Sequence, residues 1–216
     1  MGTLNFAGGA SLSGSGSNLV TTSGLNFGGS WVDAPVGTII KRASYNTGYG
    51  SGARTATSSQ TWGTVLIGGT NQAAFNLSKV SGFDILSFTK LSNKSHIEIS
   101  VNFPYYINIG NSGFGFRCQA SKDGGSNYVI LGNLSDGPVS TWGGGGYGGN
   151  DAGVFHYTFS TYDNSTERSS WLARTGEVRF YFQVRIFNTN DTLHMNDYDA
   201  TYSKEGTIQV SEIIAA

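Results

Sequence analysis

The chain has three histidines, and these are the first side chains to consider for acid–base or metal chemistry. His96 and His156 stand in strand-like segments, whereas His194 stands in the loop-like sequence His-Met-Asn-Asp. The acidic residues near His194 are Asp191, Asp197 and Asp199. Carboxylate oxygens suit a hard cation, but this spacing differs from that of an EF-hand loop, and aspartate is common in turns. We therefore expect a solvated connecting loop at 191–199 and no metal site, with a bound cation as the alternative.

The sequence lacks the usual catalytic signatures. It contains no Gly-x-Ser-x-Gly nucleophile elbow, no His-Glu-x-x-His pair and no cysteines at zinc-binding spacing. Cys118, the single cysteine, alternates with polar residues in a strand-like segment, so we expect a small buried hydrophobic side chain. A glycosidase would need two placed carboxylates, and nothing in the sequence selects a pair from the 14 Asp and Glu residues. We expect no enzyme activity and no cofactor.

Two pairs of aromatic residues could contact a ligand or another subunit. Trp142 and Tyr147 flank a run of glycines, and Tyr105 and Tyr106 are adjacent. The glycine tract lacks the Lys-Ser/Thr step of a phosphate-binding loop, so it predicts a flexible loop between strands. Tyrosine and tryptophan stack on sugars and are also enriched at protein interfaces. The four residues are therefore candidates for glycan binding or for subunit contact.

Composition narrows the class of protein. The chain has 216 residues, of which 32 are glycine and only 12% are charged, while 13% are aromatic. This balance is typical of a β protein with many turns rather than of a disordered chain. A net charge of −1 gives no electrostatic reason to expect nucleic-acid binding. No apolar run is long enough to span a membrane, and Met1–Gly9 lacks the basic and apolar regions of a signal peptide.

Alternation of apolar and polar residues predicts strands in four segments. These are Ser95–Phe103, 114–118, 178–186 and Gly206–Ile214, with 178–186 expected to be the longest strand. Weaker signals lie at 64–67, 73–76, 83–89, 128–131 and 153–160. No helical period is sustained and no repeat of roughly 20–50 residues appears. The sequence predicts an all-β sandwich or barrel with eight or more strands.

A change in amino-acid composition at residue 35 predicts that the chain has two parts. Residues 1–35 are rich in Gly, Ser and Thr with scattered apolar residues, which indicates an extended N-terminal arm. Residues 36–216 form the predicted β domain. It begins with a short β-branched run, Val36–Ile40, that ends in Lys41-Arg42. A Gly/Ser/Thr-rich loop is expected over Tyr45–Gly63, with one helical turn at 53–60 as a possible feature.

Four segments of the chain, in the same order, resemble those of small structural proteins from marine bacteriophages, particularly phages of cyanobacteria. They are Asp33–Ile40, similar to DAPAGTI; Thr55–Trp62 leading into Leu91–Ile99; Phe116-Arg117 with Asp123-Gly124; and Gly206–Ala215, similar to STITVMEIA. The resemblance runs from about Asp33 to the end of the chain. Ser211 departs from it, because the family has an apolar residue before the Glu.

The resemblance implies an antiparallel jelly-roll sandwich of the trimeric kind, located on the surface of a virion. Its members are head-decoration or tail-fibre components, so a homotrimer on the major capsid protein or another virion protein is expected. Sister subunits would cover outward aromatic residues such as Tyr181 and Phe187. We expect an outer capsid decoration protein anchored by its arm. The alternatives are a tail-fibre or baseplate module that binds a host surface glycan, and a carbohydrate-binding module of a secreted enzyme.

Overall fold

The computed structural model describes residues 2–5, 11–14, 34–47, 55–57, 60–65, 76–80, 83–108, 113–131, 139–142, 151–163, 166–187, 192–195 and 206–215. Its strands are β1 (Gly2–Asn5), β2 (Ser11–Gly14), β3 (Ile39–Asn46), β4 (Thr55–Thr57), β5 (Gly63–Thr64), β6 (Asn76–Val80), β7 (Phe83–Lys90), β8 (Ser95–Asn108), β9 (Gly113–Ser121), β10 (Val129–Ile130), β11 (Val139–Trp142), β12 (Asp151–Ser160), β13 (Gly176–Ile186), β14 (Thr192–Met195) and β15 (Thr207–Ile214). A helix, α1, spans Arg168–Ala173. The all-β class predicted from the sequence is confirmed.

The strands after residue 34 form two antiparallel sheets. The six-stranded sheet has the order β3-β15-β8-β14-β4, and β12 pairs with the other edge of β8. The seven-stranded sheet has the order β10-β9-β13-β7-β6, with β11 also on β9 and β5 also on β13. In the N-terminal segment, β1 and β2 pair with each other as a separate hairpin. The other residues of the predicted arm up to position 33 lie outside the described ranges.

The pairing is nested along the chain. Strand β3 pairs with β15, β7 with β13, β8 with β12, and β9 with both β10 and β11. Strands that come early therefore meet strands that come late, as in a long hairpin folded over on itself. Each sheet draws strands from both halves of the chain, so neither sheet can form from one half alone.

Aromatic rings from both sheets meet in the core between them. Phe103 of β8 lies 5.6 Å from Phe116 of β9, measured between ring centroids, and 5.9 Å from Phe182 of β13. Phe155 of β12 approaches Phe116 to 4.7 Å. Burying each ring contributes about 2 kcal/mol, and such ring pairs add a further increment of about 1 kcal/mol.

The inward faces predicted from alternation are confirmed. The buried residues are Ile97, Ile99, Val101 and Phe103 on β8; Phe114, Phe116 and Cys118 on β9; Val178, Phe180, Phe182, Val184 and Ile186 on β13; and Ile208, Val210 and Ile214 on β15. The residues between them on β8 and β13 are partly or fully exposed, with the exception of Pro104, Tyr106 and Gln183. Cross-sheet packing therefore selects the same face that the period-two pattern selects.

The longest strand is β8 with 14 residues and not β13 with 11, so the prediction for 178–186 is wrong in this respect. We expected the β8 segment to end at Phe103, before Pro104. Along one edge of β8, however, β15 pairs up to Asn102 and β14 pairs from Tyr105. Pro104 falls in the gap between these partners, where a missing backbone N–H removes no bond from that ladder.

Three local predictions are also wrong. Thr55–Thr57 is strand β4 rather than part of a helical turn, because it pairs with Leu193 to Met195. The same pairing makes His194 part of β14 rather than of a loop. Strand β3 does not end at Lys41-Arg42 but continues to Asn46, because β15 pairs with it as far as Asn46. In each case a partner distant in sequence overrides local composition.

The start of β3 is set by a tight turn within the sequence Ala-Pro-Val-Gly-Thr. The backbone N–H of Thr38 donates to the carbonyl of Pro35 at 3.0 Å, and Gly37 has a φ of 85°. A positive φ at this position is typical of a type II turn and favours glycine. The backbone N–H of Gly37 donates a hydrogen bond to the carbonyl of Ile214 at 2.9 Å, which connects the turn to the end of β15.

Buried charges tie the turn between β7 and β8 to β15. The Glu212 carboxylate is fully buried and accepts bonds from Leu91 N at 2.9 Å, Ser92 N at 2.8 Å and Ser95 Oγ at 2.5 Å. Glu212 has the same parity as Ile208, Val210 and Ile214, which places it on the core face. The carboxylate replaces the water that these donors would otherwise need.

Lys90, at the end of β7, extends this network to the helix. Its buried ammonium donates to the carbonyls of Ser92, of Leu172 at 3.0 Å and of Arg174 at 2.8 Å. Burial lowers the pKa of Lys90 from 10.5 to about 8, and the negative charge of Glu212 opposes that shift. The network thus joins β7, β15 and the C-terminal end of α1.

We expect Glu212→Gln to lower the free energy of unfolding by about 3 kcal/mol, because a carboxamide cannot accept all the bonds that the carboxylate accepts and places its NH₂ against backbone donors. Glu98→Gln is the matched control, since Glu98 faces outward on the neighbouring strand β8, with a side chain 40% exposed, and should cost less than about 0.5 kcal/mol. Urea unfolding followed by circular dichroism measures both. Equal losses for the two variants would contradict a structural role for the Glu212 carboxylate.

Candidate interaction surfaces

Three of the four aromatic residues proposed as contacts lie in the described part of the chain. Trp142 ends β11, opposite Gly113 in the seven-stranded sheet, and Tyr147 lies outside the described residues. Tyr105 and Tyr106 belong to β8 in the six-stranded sheet. Trp142 and the two tyrosines of β8 therefore stand in different sheets of the sandwich.

Tyr105 and Tyr106 are largely engaged within the protein. The Tyr105 ring lies 5.1 Å from that of Phe114 and covers Gly153, where an added Cβ would stand 2.9 Å from the tyrosine oxygen. Tyr106 is 8% exposed, and its ring lies 5.7 Å from that of His194. A ring buried to this extent offers no open face for stacking on a sugar.

The groups considered for catalysis are spread over the fold. His96 Nε2 lies 3.4 Å from Glu98 Oε1, and His156 is an exposed residue of β12 opposite Asn102. Cys118 is fully buried as expected, and burial raises the pKa of its thiol well above the usual value. In the part of the chain that the structure describes, no three His, Cys, Asp or Glu side chains gather as a metal site. The predicted loop at 191–199 is described only over β14, and all three of its aspartates lie outside the described ranges.

Most described residues on the outer face of the six-stranded sheet are polar and uncharged, with Arg42, Glu98 and the exposed Val154 as exceptions. Cross-strand pairing sets its side chains in rows: Arg42, Ser211, Glu98 and Ser160; then Ser44, Gln209, Ser100 and Thr158; then Asn46, Thr207, Asn102 and His156. Within the second row, Ser100 Oγ and Thr158 Oγ1 are 2.8 Å apart. Ser160 and Ser211 are buried, whereas the hydroxyl and amide side chains of the second and third rows are partly or fully exposed and give a hydrated surface with few anchors for a partner.

The outer face of the seven-stranded sheet has a different character, and we term it the arginine–aromatic face. Its members are Trp62, Arg117, Gln119, Tyr128, Arg179, Tyr181, Gln183, Arg185 and Phe187. Arg, Tyr, Trp and Phe are the residue types enriched at protein interfaces. The outward positions of Tyr181 and Phe187 agree with the alternation seen in the sequence, and both are half-buried.

Trp62 lies between two arginines on this face. The Arg117 guanidinium carbon stands 4.2 Å from the indole centroid, and that of Arg185 stands 4.8 Å from it. Beneath the ring is Gly115, where an added Cβ would stand 2.9 Å from Trp62 Cη2. The indole can therefore lie here only over a residue without a side chain, and Gly115 on β9 is such a residue.

Arg117 shares one side-chain acceptor with Gln119. Arg117 Nε donates to Gln183 Oε1 at 2.8 Å, and the same oxygen accepts from Gln119 Nε2 at 2.9 Å. Burial lowers the pKa of Arg117, the Tyr181 hydroxyl opposes this, and the like charge of Arg185 lowers it further. Among the described residues, Arg117 makes no ion pair.

The other end of the face carries its own counter-charge. Arg179 Nη2 pairs with Glu177 Oε2 at 3.1 Å, and the rings of Tyr128 and Tyr181 meet edge to face at 4.9 Å. Arg179 Nε and Tyr128 Oη are buried without a hydrogen-bond partner in the described structure. Arg179 is therefore paired with a carboxylate, while two buried donors beside that pair have no hydrogen-bond partner in the described structure.

Sequence reasoning did not find Trp62, because it stands in a segment predicted to be loop. The signal that was available is parity: Arg117, Arg179 and Arg185 all fall on the outward phase of strands whose inward phase is apolar. Arginine repeated on one face of neighbouring strands marks a cationic surface. Nothing in the local sequence around Trp62 shows that its ring would lie across β9.

None of the helices that the structure describes has the length and apolar character needed to cross a bilayer.

Comparisons with known proteins give little to set beside this geometry. No family model matches the chain, and no curated protein matches it. A chain in the structure titled "Structure of infectious bursal disease virus Gx strain" aligns over 83% of this chain and 39% of its own length, with 8% identity and a TM-score of 0.28. The chain therefore spans well under half of that viral chain, and a likeness at this level does not define a fold.

We expect Gly115→Ala to destabilise the protein by about 1–2 kcal/mol, because its methyl group would push Trp62 off β9 and out of contact with both arginines. Gly63→Ala on β5 is the matched control. A Cβ there would meet only the Val184 carbonyl oxygen at 3.9 Å, so this change should be neutral or slightly stabilising. Urea midpoints of the two variants give the comparison, and equal midpoints would show that Trp62 is not held against Gly115.

Proposed function

We propose that this chain is a non-enzymatic structural protein of a virion, built on a single jelly roll. The observation that supports the jelly roll is the nested pairing. In the six-stranded sheet β3, β15, β8 and β12 stand side by side, and in the seven-stranded sheet β7, β13 and β9 are followed by β10 and β11. First-with-last pairing in two facing sheets is the arrangement of a rolled-up double Greek key, an architecture used by viral capsid and lectin domains.

A fold alone leaves function open, so the state of the reactive side chains is a second support. Glu212 and Lys90 form the hydrogen-bond network that holds the β7–β8 turn, and Cys118 is buried in the core. Asp123 Oδ1 accepts from Ser121 Oγ at 2.5 Å and from Asn127 N at 3.0 Å, which stabilises the turn between β9 and β10. These groups maintain the fold rather than face a cleft.

Within this class we propose an outer capsid decoration protein, made in the host cytoplasm and exposed on the particle, with the major capsid protein as its partner. Residues 1–35 would be the anchor. Ala34 is buried with Ile40 and Ile214, and Gly37 is bonded to Ile214, so the chain enters the sandwich at the end of β15. An arm that enters at one end can lie on a lattice while the opposite end points outward.

Quantitative mass spectrometry of purified particles tests this role. We expect this chain in a copy number comparable to that of the major capsid protein, because a decoration protein covers the whole lattice. A chain absent from particles would contradict the virion role. A copy number as low as that of tail proteins would instead support the tail-fibre or baseplate alternative and its glycan-binding loops.

We further propose that the decoration protein is a homotrimer. Its support is a group of exposed apolar side chains beside the end of β15: Val36 at 66%, Ile39 at 43% and Leu91 at 38% exposure. Ile39 pairs with Ile213, and Leu91 N bonds to Glu212, so the three lie around one strand end. Apolar surface gathered at one end of a subunit favours contact with sister subunits around a closed axis.

Size-exclusion chromatography with light scattering tests the trimer. We expect a trimeric mass at micromolar concentration and a monomeric mass for the double variant Val36→Asp and Ile39→Asp, since buried carboxylates would oppose the contact. Val154→Asp is the control, because Val154 is 57% exposed on β12, at the opposite edge of the sheet from β3. A monomeric wild-type protein, or dissociation by the control change alone, would contradict this contact.

A further inference from the structure

Strand β12 forms one edge of the six-stranded sheet, and its outer side is open. The backbone N–H of Thr161 donates to the carbonyl of Ile97 at 3.0 Å, which fixes the phase of the ladder between β12 and β8. Since the bonds of an antiparallel ladder recur at every second residue, Val154, His156 and Thr158 direct their N–H and C=O groups away from β8. In the part of the chain that the structure describes, no strand pairs with that side of β12. The side chains of these three residues are exposed.

This edge lacks the features that usually keep edge strands apart. Its register with β8 is continuous over all 10 residues of β12, without a bulge. After Asp151 the strand contains no Lys, Arg, Asp, Glu or Pro. The opposite edge of the same sheet, β3, carries the charged pair Lys41-Arg42, and its register with β15 shifts between Glu212 and Ile213. Because native proteins block edge strands with charges, prolines and bulges, the β12 edge is the one left available for pairing.

The partner that fits this edge is the same edge of a second copy. When two β12 strands pair antiparallel about a two-fold axis, the contact is isologous and both open edges are closed at once. A foreign extended segment would close β12 but would leave its own outer side open. With His156 of each copy at the axis, Val154 stands opposite Thr158 of the second copy. Cross-strand pairs of β-branched residues are favourable, and no Lys, Arg, Asp or Glu side chains oppose each other across this pairing.

We infer that two copies of the chain join edge to edge through β12, so that their six-stranded sheets become one continuous sheet. This inference deepens the proposed function, on which it rests for the trimer that is joined. Strand β12 lies at the opposite edge of the sheet from β3, beside which Val36 and Ile39 form the proposed trimer contact. The β12 edges of such a trimer face away from its axis, and their pairing links one trimer to the next in the decoration layer. Because the pairing relies mainly on main-chain bonds, we expect it to be weaker than the apolar trimer contact.

Sedimentation-velocity centrifugation of the full chain, from micromolar to near-millimolar concentration, tests this pairing at about pH 8, where imidazoles that face each other carry no charge. We expect the mass to rise at least about twofold above that of the trimer as trimers join. Val154→Lys places a charge on the edge and should abolish the rise while leaving the trimer intact. Thr158→Pro removes an N–H that points away from β8, so it should have the same effect without breaking the ladder between β8 and β12. Circular dichroism shows whether each variant is folded, and either folded variant suffices.

Thr207→Lys is the matched control, because it adds the same charge to the same outer face on β15, a strand that is paired on both sides. It should associate as the wild type does, and a loss of association in this variant would show that faces rather than edges meet. That result would overturn the inference, as would a rise in mass that Val154→Lys retains. A wild-type mass that does not change with concentration would also overturn it and would leave β12 to a strand of another protein. A monomer as the starting species would remove the trimer, but the inference would stand if its mass doubled and that of Val154→Lys did not.

Discussion

Two sheets bury their apolar faces against each other, and every other feature of the protein depends on that contact. Because pairing is nested, strands from the two ends of the chain must both be in place before either sheet is complete. The rings of Phe103, Phe116 and Phe182 cross the gap between the sheets and fix their separation. Once those inward faces are set, the strict alternation of a strand decides which residues point outward. The residues on the two outer surfaces are therefore determined by which residues face the core.

Those two outer surfaces differ in composition. One sheet presents rows of serine, threonine, asparagine and glutamine, which remain well hydrated. The other presents Trp62, Arg117 and Arg185 in mutual contact. Two of the 13 Lys and Arg residues of the chain thus lie against one indole ring. A protein that met its partners through one face and stayed hydrated on the other would show this division.

The sequence predicts the fold well where alternation carries the information and poorly where a distant partner does. The inward faces of two segments, Ile97 to Phe103 and Val178 to Ile186, were predicted correctly because each inward residue packs against the opposite sheet. Glu212 also falls on the inward phase, but its bond to Ser92 joins residues 120 positions apart, and no local pattern reveals it. Strand β4 was missed for the same reason. The arginine–aromatic face was not predicted: parity shows that its arginines point outward, while the position of Trp62 across β9 depends on the space above Gly115.

A cryo-electron microscopy map of the intact particle tests the central claim most directly. The account predicts density on the outside of the capsid into which a sandwich with β3, β15, β8 and β12 side by side fits. A particle whose surface and tail hold no density of this shape would contradict it.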